Sequence, residues 1–297
     1  MAQRQSSERF GLPSWRAGPT PCCGVGKSLT RAMKVCEATN AELETMPQRV
    51  WSVSGCSVPG TSHQRSGVMC QDTCGWFTAG EIVVVAVADG AGSARLAHVG
   101  SATLIREAIT PIIIQYLSGI DFGNGDLSAA LRQSLLAAVK GLEAEAHNWG
   151  AEPGDLAATL ILVVAGSDFI GAAQIGDGAA IICDGQSNLE ALTIPKSGEF
   201  LNETSFLISA GAVDGAQIAV RRIRPVHFAV FTDGLQMLAL KYPSGQPHGR
   251  FFLPVFEYLR HTPESEVAEG IGQFLKSRRI AERTDDDLTL VVAHLPS

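Results

Sequence analysis

The chain has 297 residues, of which 45% are hydrophobic, 18% charged and 6% aromatic, and its formal net charge is −7. So much apolar side chain with so little charge can offset chain entropy, so the chain as a whole is not disordered, and its length suits one large domain or two small ones. No apolar run approaches the 18 residues of a membrane span, and the acidic balance argues against a nucleic-acid surface. The seven cysteines are odd in number and include no Cys-x-x-Cys pair, which argues against a disulfide framework and for a reducing cytoplasm. No cysteine has an arginine six positions later, as a phosphate-binding cysteine loop would need.

Residues 1–49 are expected to be a loose extension, rich in Ser, Pro and Gly to about Gly26, with one short helix over Lys27–Met46. The first 50 residues hold seven Lys/Arg against four Asp/Glu, so the remaining body carries −10. Gly26-Lys27-Ser28 is no phosphate loop, because Pro21 stands where that motif needs glycine and no strand precedes it. From residue 50 to 297 a single domain is expected. Val50–Val58 reads as a strand, Thr61–Gln71 as polar and turn-rich, and Ile82–Ala88 as a buried strand stopped by Asp89-Gly90. Two long helices follow, over Ala94–Leu117, with Pro111 as a candidate kink, and over Leu127–Asn148. Strands are then expected at Thr159–Val164, Phe169–Ile175 and Ala179–Cys183. The turns between them, Gly166-Ser167-Asp168 and Gly176-Asp177-Gly178, are too short for parallel crossovers, so antiparallel hairpins are expected. Two more strands (Gln217–Arg222, His227–Thr232), three short helices (Leu235–Leu240, Pro254–Arg260, Pro263–Lys276) and a last strand at Leu288–His294 complete an α+β pattern.

The informative residues are aspartates at the ends of apolar strands: Asp89-Gly90, Asp177-Gly178, Asp233-Gly234 and the run Asp285-Asp286-Asp287, with Asp72 in the polar segment. Any one of them is most simply a turn residue, since Asp-Gly is a common turn pair. As a set on one rim of a sheet they would repel each other unless a cation lay between them, and such oxygen donors suit Mg²⁺ or Mn²⁺.

The chain resembles the metal-dependent Ser/Thr protein phosphatases of type 2C (PPM), in the bacterial-type branch with Gln-Asp at the first motif. The resemblance runs from about Trp51 to Ala293. It rests on Gln71-Asp72, Val85–Ser93 with Asp89-Gly90 at its centre, Ala157-Ala158-Thr159-Leu160, Ile175–Ala179, Phe231-Thr232-Asp233-Gly234 and Asp286-Asp287-Leu288-Thr289, in that order. It implies a four-layer α-β-β-α sandwich of two antiparallel sheets between helices. It also implies two Mg²⁺ or Mn²⁺ ions per chain, held by Asp89, the Gly90 carbonyl, Asp233 and Asp286, with Asp177 at the position of a third ion and Asp72 holding metal-bound water. The implied reaction is hydrolysis of phosphoserine or phosphothreonine in proteins by a metal-bridged water, opposing a Ser/Thr kinase in cytoplasmic signalling. The protein would act as a monomer, without nucleic acid or membrane.

Three positions depart from the family pattern. Gln71 stands where a glutamate is common, Ala91 where a histidine is a candidate acid, and Gly67 where an arginine holds phosphate. His63 and Arg65 are the candidate replacements for the last two roles, each beside a plainer reading as an ordinary loop residue. The same departures motivate the alternative of a weakly active or non-catalytic phosphoprotein-binding module of this fold.

Overall fold

In a computed structural model, which describes residues 50–195 and 206–296, the apolar runs become strands buried on both faces. The elements in order are β1 (Ser52–Val58), α1 (Thr61–Ser66), β2 (Thr73–Ala79), β3 (Ile82–Ala88), α2 (Ala97–Leu117) and α3 (Leu127–Trp149). After a 3-10 turn at Pro153–Leu156 come β4 (Leu160–Ala165), β5 (Ile170–Ile175), β6 (Ala179–Cys183), β7 (Leu189–Thr193), β8 (Gln217–Arg221) and β9 (His227–Phe231). A second 3-10 turn leads to α4 (Gln236–Ala239), the small hairpin β10 (Leu240–Lys241) and β11 (Gln246–Pro247), α5 (Gly249–His261), α6 (Glu264–Leu275), α7 (Arg278–Ala281) and β12 (Leu288–His294). The expected extension 1–49, including its helix over Lys27–Met46, lies outside the described residues.

Two five-stranded sheets form, ordered β1-β12-β9-β6-β7 and β2-β3-β4-β5-β8, and every neighbouring pair is antiparallel. Period-2 alternation explains how β3 serves two cores. Val83, Val85 and Val87 face the other sheet, where they meet the set containing Phe228, Val230 and Val291. Val84, Ala86 and Ala88 face outward to α2 and α3, against Leu104, Ile112 and Leu131. On the other side, Ala229, Phe231, Leu290 and Val292 pack against Phe252, Phe256 and Ile271 of α5 and α6. The four-layer α-β-β-α sandwich is thus built. Each buried Val- or Leu-sized side chain contributes about 1.5–3 kcal/mol.

Several expectations change. Thr61–Gln71 is not all turn, because Thr61–Ser66 forms α1, closed by Gly67 in the left-handed region (φ 68°). Strands β2 and β7, both edge strands, are additions, and α2 begins at Ala97 and runs through Pro111 without a break. Most consequential is the Gly176-Asp177-Gly178 turn. β5 and β6 do not pair. They belong to different sheets, so the turn carries the chain from one sheet to the other. The tight spacing is met by a layer crossing rather than a hairpin. No helix among the described residues is long and apolar enough to cross a membrane.

Candidate active site

The registers bring the strand-end aspartates to one end of the sandwich. In one sheet Val58 pairs with Leu288, and Phe231 pairs with both Leu290 and Ala179, so the ends of β9 and β12 and the start of β6 share a rim. In the other, Thr73 pairs with Ala88 and Leu160 with Ile175, so Asp72, Asp89 and the Asp177 turn sit at the same end. Carboxylate oxygens of Asp89, Asp177 and Asp233 lie within 4.8 Å of one another. Asp286 stands outside that set on an exposed stretch, its Oδ1 accepting from the Asp287 amide at 2.8 Å. It is still near enough for its charge to act on Asp89 and Asp233.

Asp72 is buried, with 5% exposure. Its Oδ2 accepts from the hydroxyls of Thr232 (2.7 Å) and Thr289 (2.8 Å). Thr232 Oγ1 in turn accepts the Thr289 amide, and since the Thr289 proton goes to Asp72, Ser57 donates to Thr289 at 2.7 Å. With Oδ2 committed, Oδ1 remains buried and faces no protein donor. A buried carboxylate oxygen in that state is costly, and the Asp72 side chain lies close enough to Asp89 for the two carboxyl groups to act on each other. Asp89 is held through its backbone: Thr159 Oγ1 accepts its amide at 3.0 Å, and the Thr159 amide donates to its carbonyl at 2.8 Å.

The electrostatics follow from this crowding. Burial first, then the charges of Asp72 and Asp233, push the Asp89 carboxyl far above its usual range. Burial also raises Asp72, against the two threonine hydrogen bonds, and it raises Asp233 together with Asp177 and Asp286. Asp286 is raised mainly by burial. Among the described residues no Lys or Arg forms an ion pair with Asp72, Asp89 or Asp233. An all-oxygen donor set, uncompensated by protein cations and with one orphaned buried oxygen, fits a hard divalent cation.

The other expected residues fall as follows. A Cβ at Gly90 would meet Ala97 Cβ and the Gln71 carbonyl, each at 2.9 Å, so only glycine lets the chain pass this close. Ala91 is buried. His63, on α1, places Nδ1 2.9 Å from Asp287 Oδ1. Arg65 is exposed on the same helix, with no hydrogen bond or ion pair to the carboxylates among the described residues. Sequence reasoning passed over Asp287 as a site residue. It is 2% exposed and accepts from the Gly60 amide (2.7 Å) and His63 through Oδ1, and from the Gln71 amide (2.6 Å) through Oδ2. It ties α1 and the approach to Asp72 onto the start of β12. Thr232 and Thr289 were also missed as partners of Asp72. Their only sequence signal was that each adjoins an aspartate motif.

Comparison with known proteins agrees with this layout. The family model described as Protein phosphatase 2C matches residues 59–276. Serine/threonine-protein phosphatase 3 of Escherichia coli (strain K12) is 34% identical over 256 residues, covering 82% of this chain and 98% of that protein. Among solved structures, serine/threonine phosphatase Stp1 from Staphylococcus aureus aligns with a TM-score of 0.60 at 14% identity, over 88% of this chain and all of its own. The catalytic domain of serine threonine protein phosphatase PstP, solved in complex with two manganese ions, aligns with a TM-score of 0.54 at 18% identity, over 84% of this chain and 100% of that one.

Proposed function

The chain belongs to the protein phosphatase 2C family, and on that premise we propose that the carboxylate rim is the catalytic centre of a metal-dependent hydrolase of phosphoserine and phosphothreonine in proteins. The observation that carries this reading is the convergence of Asp89, Asp177 and Asp233 beside the orphaned oxygen of Asp72. Asp89, the Gly90 carbonyl, Asp233 and Asp286 would hold two Mg²⁺ or Mn²⁺ ions, and Asp177 a third. Bound there, the ions supply Lewis acidity toward the phosphoryl oxygens and lower the pKa of water.

The chain's own groups have distinct tasks. Asp72, fixed by Thr232 and Thr289, offers Oδ1 as an acceptor that orients water in the cleft. Asp287, when ionised, accepts a hydrogen bond from His63 Nδ1–H, and with the ring doubly protonated Nε2–H can pass its proton to the departing serine or threonine oxygen, leaving a neutral imidazole still bonded to Asp287. Arg65, on the helix anchored to this rim through the Ser62 amide and Asp285 carbonyl (3.0 Å), is the candidate phosphate clamp, since a guanidinium suits phosphate bidentately. Residues 50–297 act as one domain behind the extension 1–49. The substrate is a cytoplasmic phosphoprotein whose phosphate a Ser/Thr kinase installed, and the enzyme works as a monomer.

The test is hydrolysis of a phosphothreonine peptide by the purified protein with Mn²⁺. EDTA should abolish it, and Asp233→Asn should lower the rate by on the order of 100-fold or more. An Asp233→Asn protein as active as wild type overturns the assignment. Metal binding without turnover would favour the binding-module reading.

A further inference from the structure

The turn that carries Asp177 between the two sheets is gripped by a single buried side chain. Gln174, on β5, is 1% exposed. Its Nε2 lies 2.6 Å from the Gly178 carbonyl, 3.1 Å from the Gly176 carbonyl and 3.4 Å from the Ile194 carbonyl. Three acceptors around one nitrogen fix the orientation of the amide, since its oxygen could not face them. The Gln174 Oε1 is consequently buried without a hydrogen-bond partner. That unsatisfied acceptor is costly, and what the glutamine gains against it is its donors' hold on the carbonyls either side of Asp177.

The turn itself is constrained at both glycines. Gly176 has φ +112°, and a Cβ there would press on the Thr159 side chain at 2.5 Å. A Cβ at Gly178 would collide with the Phe231 carbonyl. The backbone on each side of Asp177 therefore lies against Thr159, which holds the Asp89 backbone, and against the end of β9, which leads to Asp233, and Gln174 bridges the two flanking carbonyls. Beside it, Gln217 pairs with Gln174 across β5 and β8 and donates Nε2 to the Ile194 carbonyl at 2.6 Å.

We propose that Gln174 is a positioning residue for Asp177: by clamping the Gly176 and Gly178 carbonyls it sets the approach of that carboxylate to Asp89 and Asp233, and thereby the affinity of the rim for the divalent ion that Asp177 helps to hold. The inference rests on the metal-centre reading but not on turnover, because it is read out by binding. Partners that orient a ligand without touching the metal typically contribute 10–100-fold to affinity.

The experiment is calorimetric titration of the metal-free protein with Mn²⁺. The difference between wild type and Asp177→Asn defines the Asp177-dependent binding. Gln174→Met removes the donors and keeps the shape. It relieves the unsatisfied Oε1 but takes this donor from the Gly176 and Gly178 carbonyls, so a lowered melting temperature is expected, and titrated well below that temperature it should lose on the order of 10-fold or more of the Asp177-dependent affinity, with little further loss in Gln174→Met/Asp177→Asn. In turnover, the Mn²⁺ concentration for half-maximal rate should rise by a similar factor, while KM for substrate and kcat at saturating metal stay near wild type. Gln217→Met, which loses the two bonds to the Ile194 backbone and none to the turn carbonyls, should titrate like wild type. Wild-type titration by Gln174→Met overturns the proposal, as do equal losses in Gln174→Met and Gln217→Met, or losses in Gln174→Met that add fully to those of Asp177→Asn. Should Gln174→Met fail to fold, Gln174→Asn, too short to span both carbonyls, takes its place under the same criteria. An inactive wild-type protein that still shows Asp177-dependent Mn²⁺ binding would count against the phosphatase reading and leave this one measurable.

Discussion

His63 and Asp287 form a dyad whose geometry states a chemical role. With Nδ1 committed to Asp287, a proton on Nε2 matters only to a leaving group that needs one. His63→Gln should lower kcat by roughly 100-fold on a phosphothreonine peptide and by less than about threefold on p-nitrophenyl phosphate, whose phenolate departs without help. Equal losses on both would show that the ring only holds α1 in place. The sequence marked His63 by its place before Gln71-Asp72. It could not show that the partner lay 224 positions away. The same limit separates Asp286 from Asp287. Adjacent residues at the start of β12 point in different directions, and only the register decides that one turns outward while the other is buried under Gly60 and Gln71. Asp89, Asp177 and Asp233 were legible because each stops an apolar strand. The bracing role of Thr232 and Thr289 was not, since a hydroxyl within a motif shows no partner until the strand ends are brought together.

Elements show where local preference yields to packing. Gly100 lies in α2, a position where alanine would by intrinsic propensity add about 1 kcal/mol. Its Cβ would collide with the Leu156 carbonyl of the 3-10 turn. That turn is also fastened to the start of α2 by the Leu96 amide on the Asp155 carbonyl (2.7 Å). Gly100→Ala is therefore expected to destabilise the protein by about 1–3 kcal/mol in urea denaturation. A gain in stability would mean that the contact relaxes freely. The central strands β3, β6 and β12 were found at their full lengths because a strand buried on both faces is an uninterrupted apolar run. Edge strands escaped. β2 contains Gly75 and is only partly covered, and β7 is half exposed, so neither carries enough apolar pattern to stand out. The β5–β6 turn was misread because length alone cannot separate a hairpin from a step between layers.

On the scale of the whole molecule, the sandwich has two unlike ends. The rim with the aspartates is acidic. At the opposite end Ser52, His294, His227 and Cys183 stand in register on four adjacent strands. There His227 stacks on His294 (4.5 Å between centroids) and on Phe256 (4.9 Å). Burial, followed by the nearby His294 and Arg260 charges, lowers its pKa to about 4. The unfolded chain takes up that proton near pH 6.5, so stability falls as pH drops from about 6.5 toward 4. His227→Phe, which keeps the stacking and removes the titration, should flatten the pH dependence of thermal stability in that window, by roughly 2 kcal/mol at its acid end. An unchanged slope would place the acid sensitivity elsewhere. Two sheets under helices on both sides were anticipated from the apolar fraction and the ordered motifs. The polarity of the ends was not, because it exists only once every strand has a neighbour.

That polarity governs what can be attached to the molecule. β1 enters and β12 leaves as hydrogen-bonded neighbours at the histidine end, with Ser52 opposite His294. The seven residues of β1 then run about 23 Å before the chain reaches the aspartate rim. Cargo joined ahead of Trp51 or after Leu295, whether a localisation tag, a fluorescent reporter or a surface tether, would emerge side by side from the pole remote from the cleft. An enzyme immobilised by that pole would present its aspartate rim to the surrounding solution.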